Sequence, residues 1–559
     1  MLENFLFRPI INFFTTDSNQ SYKLSFLLLI TFVVSLSLLL INIGSPAINS
    51  IPWDVTIQLD GAWRVVNGQI PNVDFTPIIP PLTILLTAFG MKVAPPSASS
   101  IAYGNVLLFV ILTPWAWIIA RNRLSAANAF LFAVFMGVLL VAPRALGDNV
   151  DAISYAMLYN RQGWVLLSML CVELFIFNRK TTKSQEIWSG LSSSILLTLL
   201  LFSKLSFFCI GVAAVLIRSF FFRPSIKWFI TLVSNFLLLV ITMQAFLPLN
   251  LFSYISDTRL VGIVYGKNKL NGGTLPRVII ESWENIFVII VLLFMLMLIN
   301  ELDKNKEKNS KLTSIWLVVT GAFVIGASVF LLLTANQHED IPFFLVAGLI
   351  YLEYFRQKFQ FSDHSINSTT GISYLFSILF TIPIFLGTIF IKDIRSIAFS
   401  VKSHYSKLSS TSEVQRFKSK TLSDLIIPEE YFLSNYSGLG PLTSEYPRQI
   451  NDGLTLLGKH ITSKSRIFAL AYSNPFPFAL ELPPASGGVI NFCLHMTFNA
   501  EYFPDAEKVF KGANMVMIPK KGRSMDTVIM MKNLYKDYLS KNFIEKDNSE
   551  FWTLLVKLA

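Results

Sequence analysis

Residues 22–44 of this chain read YKLSFLLLITFVVSLSLLLINIG. A nearly uninterrupted apolar run of this length can cross the hydrocarbon core of a bilayer, which is about 30 Å thick. The composition of the 559-residue chain points the same way, with 53% hydrophobic and 14% charged residues, whereas a soluble domain carries about 25% charged residues. The sequence therefore excludes a single water-soluble core and predicts a polytopic α-helical membrane protein.

Apolar runs like the first recur as far as residue 391. We predict eleven transmembrane helices, near residues 22–44, 100–120, 126–143, 163–178, 188–203, 206–220, 226–247, 284–300, 312–334, 341–355 and 371–391. The run 80–90 has about ten apolar-rich residues, fewer than the roughly 17 that a span needs, so we interpret it as a helix lying at the membrane interface. The first run follows acidic residues and precedes no small-residue cleavage site, which favours a retained span over a signal peptide.

The distribution of positive charge sets the predicted topology. Lys and Arg in short loops concentrate on the cytoplasmic side of a membrane. If the run 80–90 does not span and the N-terminus is inside, every strongly basic short loop is cytoplasmic, namely 121–123, 179–183, 218–227, 304–311 and 356–358. We therefore expect a multi-pass protein of the plasma (inner) membrane, with a cytoplasmic N-terminus (1–21), a transmembrane domain (22–396) and an extracytoplasmic C-terminal domain (397–559).

From about residue 397 the composition is that of a soluble domain. Its pattern predicts helices near 447–460, 505–511 and 523–540 and strands near 466–472, 514–518 and 551–557, which together indicate a small α/β domain.

Three cysteines are too few for a disulfide framework or a thiolate metal site. The sequence has no phosphate-binding Gly-Lys-Thr loop and no recognisable Ser/His/Asp set, so nucleotide-driven transport and hydrolase functions have no support. The net charge of +11 is explained by loop topology, and we expect no nucleic-acid partner.

The outer loop 45–99 carries the most informative motif. Apolar residues at helical spacing predict an amphipathic helix over 54–67 that lies on the membrane and ends at Gly68. Asp54 stands at its start, where a carboxylate is favoured by the helix dipole. Local spacing alone makes a helix-capping Asp the simplest interpretation of Asp54, and a catalytic carboxylate is the alternative.

The order of residues in this loop resembles a known family. Asp54, then Gly68, Ile70-Pro71, Asp74-Phe75 and Pro80-Pro81-Leu82 are similar to the first outer loop of the GT-C superfamily, the polyprenyl-phosphate-sugar-dependent membrane glycosyltransferases. The similarity is greatest to the bacterial branch that includes protein O-mannosyltransferases and the aminoarabinose transferase of lipid A. The chain departs from that pattern at Val55, where the family has Glu, and at Ile79, where some members have Lys or His.

The resemblance implies an inverting glycosyltransferase. It would move a sugar from a polyprenyl-phosphate donor to a lipid, glycan or protein acceptor on the outer face of the membrane. Asp54 matches the catalytic Asp of the family, and one carboxylate acting as general base is enough because phosphate is a good leaving group. The reaction needs no cofactor, and a divalent cation is left open. The alternative class is a non-enzymatic flippase, transporter or assembly factor for envelope glycans.

Four residues are candidates for binding the donor phosphate or sugar. Lys204 lies between two apolar runs, where a charge is expensive and suggests a function, although a lysine that snorkels to the interface is the alternative. Tyr159 and Arg161 form a possible donor cluster, and Arg suits bidentate phosphate contact; an aromatic interface anchor with a solvated Arg is the alternative. His338 lies in an outer turn, where a simply solvated imidazole is the more common case.

The family also implies a second acidic residue. The candidates are Asp60, Asp74, Asp148 and Asp151.

Residues 248–283 suggest a mobile loop over the donor site or a plain connector. In the C-terminal domain, the Pro/Gly/aromatic segment 473–488 suggests an exposed patch with Phe476 and Phe478. We expect that domain to organise the acceptor or a partner rather than to perform the transfer.

Overall fold

The computed structural model describes residues 18–176, 182–222, 224–269, 310–334, 340–350, 389–409, 414–428 and 440–558. The predicted spans near 284–300 and most of 371–391 lie outside these residues. Apolar runs of the N-terminal part fold as helices: α1 (Asn19–Ile43), α2 (Pro52–Val66), α3 (Pro81–Val93), α4 (Ser100–Arg121), α5 (Ala126–Val141), α6 (Leu158–Phe175), α7 (Lys183–Ser203), α8 (Leu205–Phe222), α9 (Ile226–Phe246), α10 (Leu251–Lys269), α11 (Ser310–Thr334) and α12 (Ile389–Ser409). Residues 343–350 are also helical.

Four of the described helices are long and apolar enough to cross a membrane, namely α1, α4, α7 and α9. Large apolar side chains on their outer faces remain exposed, such as Leu38, Ile241 and Phe246. An exposed apolar belt of this kind suits contact with lipid rather than water. Together with the composition, these helices make the chain a multi-pass membrane protein, while the number of spans and the sidedness stay predictions.

The helices of the bundle alternate in direction. At one end Tyr22 of α1 donates a hydrogen bond to the Leu124 carbonyl between α4 and α5, and Arg123 pairs with Glu173 near the end of α6. At the other end Gly44 approaches Ser99, just before α4 begins. The described parts of the basic turns at 121–123, 182–183 and 218–227 therefore lie at the end of the bundle that is remote from the outer loop 45–99. The side of the membrane that this end faces stays a prediction.

Helix α3 runs lengthwise beside the first half of α4 rather than lying flat across helix ends. The glycines explain the close approach, because a Cβ on Gly90 would stand 2.0 Å from the Ser100 carbonyl oxygen and one on Gly104 would stand 2.2 Å from that of Leu86. With 13 residues, α3 is about 20 Å long. It is too short to span, as the sequence predicted, but it packs into the bundle.

The C-terminal part is a mixed α/β structure built on a four-stranded sheet. Its elements are β1 (Val414–Gln415), β2 (Ile427–Pro428), α13 (Gly440–Gly458), β3 (Ile467–Ala469), α14 (Phe476–Ala479), α15 (Ala506–Val509), β4 (Met515–Pro519), α16 (Met525–Leu534), α17 (Lys536–Asn542), β5 (Phe543–Asn548) and β6 (Trp552–Lys557). The strand order is β3-β4-β6-β5, with β3 and β4 parallel and the other pairs antiparallel. Each predicted element of this region has a counterpart, whereas β1, β2, β5 and the short helix α14 were not predicted. Helix α12 continues across residue 396, where the composition changes.

The C-terminal part is joined to the bundle through specific contacts. Asp424 accepts hydrogen bonds from the backbone amides of Ala98 and Ser99 and from the Ser99 hydroxyl, at 3.0, 2.9 and 2.6 Å. These amides precede the first turn of α4, which carries unpaired N–H groups. A carboxylate from a distant segment thus accepts hydrogen bonds from the backbone N–H groups that precede α4.

Helix α2 is buried between the bundle and the C-terminal part. Most of its residues are buried, because the polar face that was expected to meet water meets the C-terminal part instead. Thr56 hydrogen-bonds Tyr446 at 2.7 Å, and the Trp63 indole donates to the Leu482 carbonyl at 2.9 Å. The expectation that the polar face of α2 meets water was therefore wrong, since the C-terminal part covers that face. The position of α2 relative to the membrane stays a prediction.

The segment 473–488 lies against α2 rather than presenting an exposed patch. Phe476 and Phe478 are 0% and 2% exposed, and their rings contact Trp552 and Trp63, respectively, at centroid distances of 5.0 and 5.8 Å. The expectation of exposed phenylalanines was wrong, because these side chains form part of the core that holds α2.

Candidate functional site

Asp54 lies in the first turn of α2 but does not cap it. The N-cap residue is Ile51, which has left-handed backbone angles, and the helix start has no side-chain cap hydrogen bond. Pro52 and Trp53 occupy the first two helical positions, where proline is favoured because its missing N–H would be unpaired anyway. The capping interpretation of Asp54 therefore has no geometric basis, and the carboxylate remains available to the space beside it.

That space is a cleft between the outer loop, residues 155–159 and the C-terminal part. It encloses about 540 Å³, including the solvent at its mouth. Its walls are formed by Asp54, Ile57, Gln58, Ile78, Ile79, Tyr155, Met157, Leu158, Tyr159, Tyr472, Asn491, Cys493, Met496 and Thr497. The lining combines apolar and aromatic side chains with the polar groups of Asp54, Gln58, Asn491 and Thr497, a mixture found in ligand-binding sites.

The surroundings of Asp54 favour its neutral form. Burial raises the pKa of its carboxyl group from the ordinary 3.8 to about 6, and the positive charge of Arg523 opposes this rise. The Asp54 side chain is partly exposed and borders the cleft. Its carboxylate is therefore surrounded by protein but still accessible from the cleft. A carboxylate with a pKa near 6 is mostly ionised at neutral pH and still basic enough to accept a proton.

Two cations adjoin the cleft through aromatic residues of its wall. No Lys or Arg is among the described residues that line the cleft itself. The Lys204 ammonium lies 5.0 Å from the centre of the Tyr159 ring and donates to Asn160 at 2.9 Å. The Arg523 guanidinium carbon lies 4.2 Å from the centre of the Tyr472 ring. The cleft thus combines one carboxylate with positive charge at its edges.

Lys204 owes its position to a break between two helices. It is the C-cap of α7 with an extended backbone, and α8 begins at the next residue. The interruption directs the side chain toward Asn160 at the start of α6. Tyr159 and Lys204, which were predicted as donor-site residues from separate segments, are therefore neighbours in the structure.

Arg161 belongs to a buried ionic cluster rather than to the cleft. Its guanidinium donates to both carboxylate oxygens of Asp393, at 2.9 and 3.0 Å, and to the carbonyls of Arg144 and Leu139. Arg144 pairs with Asp393 and Asp340 at 2.9 and 2.7 Å. These partners occupy the Arg161 side chain, so its predicted phosphate contact finds no support here. The cluster instead joins α12 and residue 340 to the loop before α6.

None of the four candidate second acids lines the cleft. Asp60 is fully buried and pairs with Arg64 at 3.2 Å, and Asp74 accepts a hydrogen bond from the Ile70 amide within its own turn. Asp148 is buried beside Arg144, whose guanidinium donates to its carbonyl, and the Asp151 carbonyl accepts from Asn49. The described residues contain no group of three or more His, Cys, Asp or Glu placed to hold a metal ion. The candidate His338 lies outside the described residues.

Helix α10 occupies the segment that was expected to be a loop. Asp257 of α10 accepts a hydrogen bond from Asn72 of the outer loop at 2.9 Å, and Tyr254 stacks on Phe202 at a centroid distance of 6.5 Å. The segment 251–269 therefore packs against the outer loop as a helix. Residues 270–283 lie outside the described part of the chain.

Comparison with solved structures gives a likeness at low sequence identity. No protein-family model matches the chain, and no curated protein matches it. The chain is similar to the crystal structure of ArnT from Cupriavidus metallidurans in the apo state, with 11% sequence identity and a TM-score of 0.42 over 95% of this chain and 98% of that chain.

Several cleft residues were not anticipated. Tyr472, Asn491, Cys493 and Thr497 come from the C-terminal part, which was expected to organise the acceptor or a partner rather than to perform the transfer. The Cys493 thiol has a pKa that burial raises to about 11, with the charge of Arg523 opposing the rise. No local motif marks these positions, because their common property is proximity to Asp54, which arises only when the sheet docks on α2.

Proposed function

We propose that this protein is an integral membrane glycosyltransferase that takes a sugar from a polyprenyl-phosphate donor and transfers it with inversion to a hydroxyl or amine of an acceptor. The observation that carries the proposal is Asp54. Its carboxylate borders a cleft, has a pKa of about 6, makes no capping bond and has cationic side chains nearby. A base poised near neutral pH beside positive charge suits the activation of a nucleophile against a phosphate leaving group.

The proposed reaction divides between the carboxylate and the cations. Asp54 accepts the proton of the acceptor O–H or N–H as the nucleophile forms a bond to the anomeric carbon. The bond between that carbon and the phosphate oxygen breaks on the opposite face, and the electron pair leaves with the polyprenyl phosphate. Lys204, held over Tyr159 and hydrogen-bonded to Asn160, supports the proposal as a counter-charge for the departing phosphate.

The apolar walls suit the donor and protect the reaction. Ile57, Ile78 and Ile79 provide surface for a lipid-linked substrate and lower the local dielectric, which strengthens the interaction of a phosphate with nearby cations. The sugar and acceptor are not specified by these contacts. The proposal therefore concerns the donor class and the chemistry rather than a particular product.

The test is a donor-dependent transfer assay with purified full-length protein in lipid. A panel of polyprenyl-phosphate sugars is offered with a mixed envelope-lipid acceptor, and release of polyprenyl phosphate is followed for wild type and Asp54→Asn. We expect release with at least one donor and a loss of about 10²–10⁴ in turnover for the variant. Donor movement across vesicles without any bond cleavage would instead establish the flippase alternative.

A further inference from the structure

Arg523 is held in an unusual environment between the two parts of the molecule. It lies in the loop between β4 and α16, and its guanidinium carbon is 4.6 Å from the centre of the Trp53 ring and 4.2 Å from that of Tyr472. Trp53 precedes Asp54 in α2, whereas Tyr472 follows β3. The two rings thus fix a cation from the C-terminal part next to the proposed general base.

Two of the guanidinium nitrogens have no acceptor. Nε and Nη1 of Arg523 are buried and form no hydrogen bond, although an arginine keeps its charge in proteins and all its N–H groups are donors. Leaving buried donors unpaired is costly, and more so when they are charged. By contrast, the buried Arg64 and Arg161 donate to carboxylate and carbonyl oxygens of the protein.

The carboxylate of Asp54 does not accept a hydrogen bond from these nitrogens. Arg523 influences the pKa of Asp54, but no ion pair joins these two described side chains. Arg523 instead lines a small recess beside the cleft that is open to solvent. Its other walls include Gln449 and Ser473 together with the apolar side chains of Ile450 and Trp552. Tyr472 lines both cavities. Arg523 therefore stands between the carboxylate of Asp54 and a recess whose walls are both polar and apolar.

We propose that Arg523 binds an oxyanion of the phosphate class at this wall, so that the C-terminal part supplies a binding residue to the site. A guanidinium matches two phosphate oxygens at once, and the flanking rings hold its plane in one orientation. If the proposed function is correct, the anion is the phosphate of the lipid-linked donor or product. The same chemistry also accommodates a soluble phosphate group.

The experiment measures binding rather than transfer. Purified full-length protein in detergent is titrated with polyprenyl phosphate, with polyprenol as the uncharged control, and separately with inorganic phosphate, and the thermal unfolding midpoint is recorded. Wild type is compared with Arg523→Met, Arg523→Lys and Arg448→Met. Arg448 is a matched control because its guanidinium also lies over a ring, that of Phe551 at 5.4 Å, but it is exposed and paired with Glu550.

We expect polyprenyl phosphate, but not polyprenol, to raise the unfolding midpoint of wild type. Arg523→Met should weaken phosphate binding at least tenfold, Arg523→Lys should weaken it less because the charge remains, and Arg448→Met should bind like wild type. Without ligand, Arg523→Met should unfold at the wild-type temperature or higher, because it removes unpaired buried donors.

The outcomes separate a binding residue from a structural contact. If only inorganic phosphate binding falls, the oxyanion site stands and its ligand is a soluble phosphate group. If Arg523→Met lowers the midpoint without ligand and leaves both affinities unchanged, Arg523 merely connects Trp53 with Tyr472 and the proposal fails. Because no arm requires turnover, a protein that binds through Arg523 yet transfers no sugar would refute the proposed function and leave this inference intact.

Discussion

Replacing Asp54 with Asn should stabilise the protein while abolishing most of its activity. The substitution keeps the shape of the side chain and removes its charge, and no capping hydrogen bond is lost because none is present. An Asp that served only as a structural contact would behave in the opposite way, since its removal would weaken the fold. The two measurements together therefore distinguish a functional carboxylate from a structural one.

The expected size of the stability effect comes from the pKa of Asp54. Burial raises that pKa from 3.8 to about 6, so the folded protein favours the protonated acid. The contribution of the protonated Asp54 carboxyl group to the free energy of unfolding is fully present below about pH 4. It is lost as the pH rises through 6. At about 1.4 kcal/mol per pH unit, the ionised carboxylate costs about 3 kcal/mol at neutral pH. Asn cannot ionise, so Asp54→Asn should raise the free energy of unfolding by up to this amount at pH 8 and have little effect at pH 4.

Two assays test this reasoning. Unfolding of the purified protein in detergent is compared at pH 4 and pH 8, and the transfer rate of wild type is measured between pH 4.5 and 8. The rate should fall about tenfold per pH unit below an apparent pKa of about 6. Asp526→Asn is the control, since Asp526 is an exposed acid of the same neighbourhood. A destabilised Asp54→Asn protein at pH 8, or one that retains near-normal turnover, would refute the assignment of Asp54 as the base.

Three further predictions concern neighbouring residues. Lys204→Met should reduce the use of donor more than that of acceptor, because the ammonium over Tyr159 is proposed to face the lipid phosphate; unchanged donor KM and kcat would make Lys204 a snorkelling lysine. Cys493 has a pKa of about 11, so in a Cys209→Ser background it should be alkylated slowly at pH 8. Its alkylation rate should rise about tenfold per pH unit up to pH 10. Rapid labelling at pH 7 would contradict a buried thiol. Asp424→Ala should lower the free energy of unfolding by roughly 1–2 kcal/mol, because it removes the acceptor for the start of α4, and Asp424→Asn should lose less; equal effects of the two substitutions would argue against the capping role.

The sequence by itself determined that this is a multi-pass membrane protein and indicated Asp54 as the candidate general base. Long apolar runs have few folded solutions in lipid, since backbone groups must be paired within each segment, so the helices near 22–44, 100–120 and 226–247 could be predicted from hydropathy. The short run 80–90 was recognised as too short to span for the same reason. Asp54 was identified from the order of residues in one continuous loop, because such a motif is local.

Only the tertiary structure decided which side chains share the cleft with Asp54. Arg161 and Tyr159 are two residues apart in the chain, yet the carboxylate of Asp393 engages Arg161 while Tyr159 faces the cleft. Arg523 and Tyr472 reach the wall beside Trp53 from distant loops. Hydropathy and local spacing record whether a residue prefers lipid, water or a helix turn, but they carry no information on which distant charge will compete for a donor. That choice depends on the packing of the C-terminal sheet against α2, which buries polar groups of both partners and fixes which of them remain unpaired.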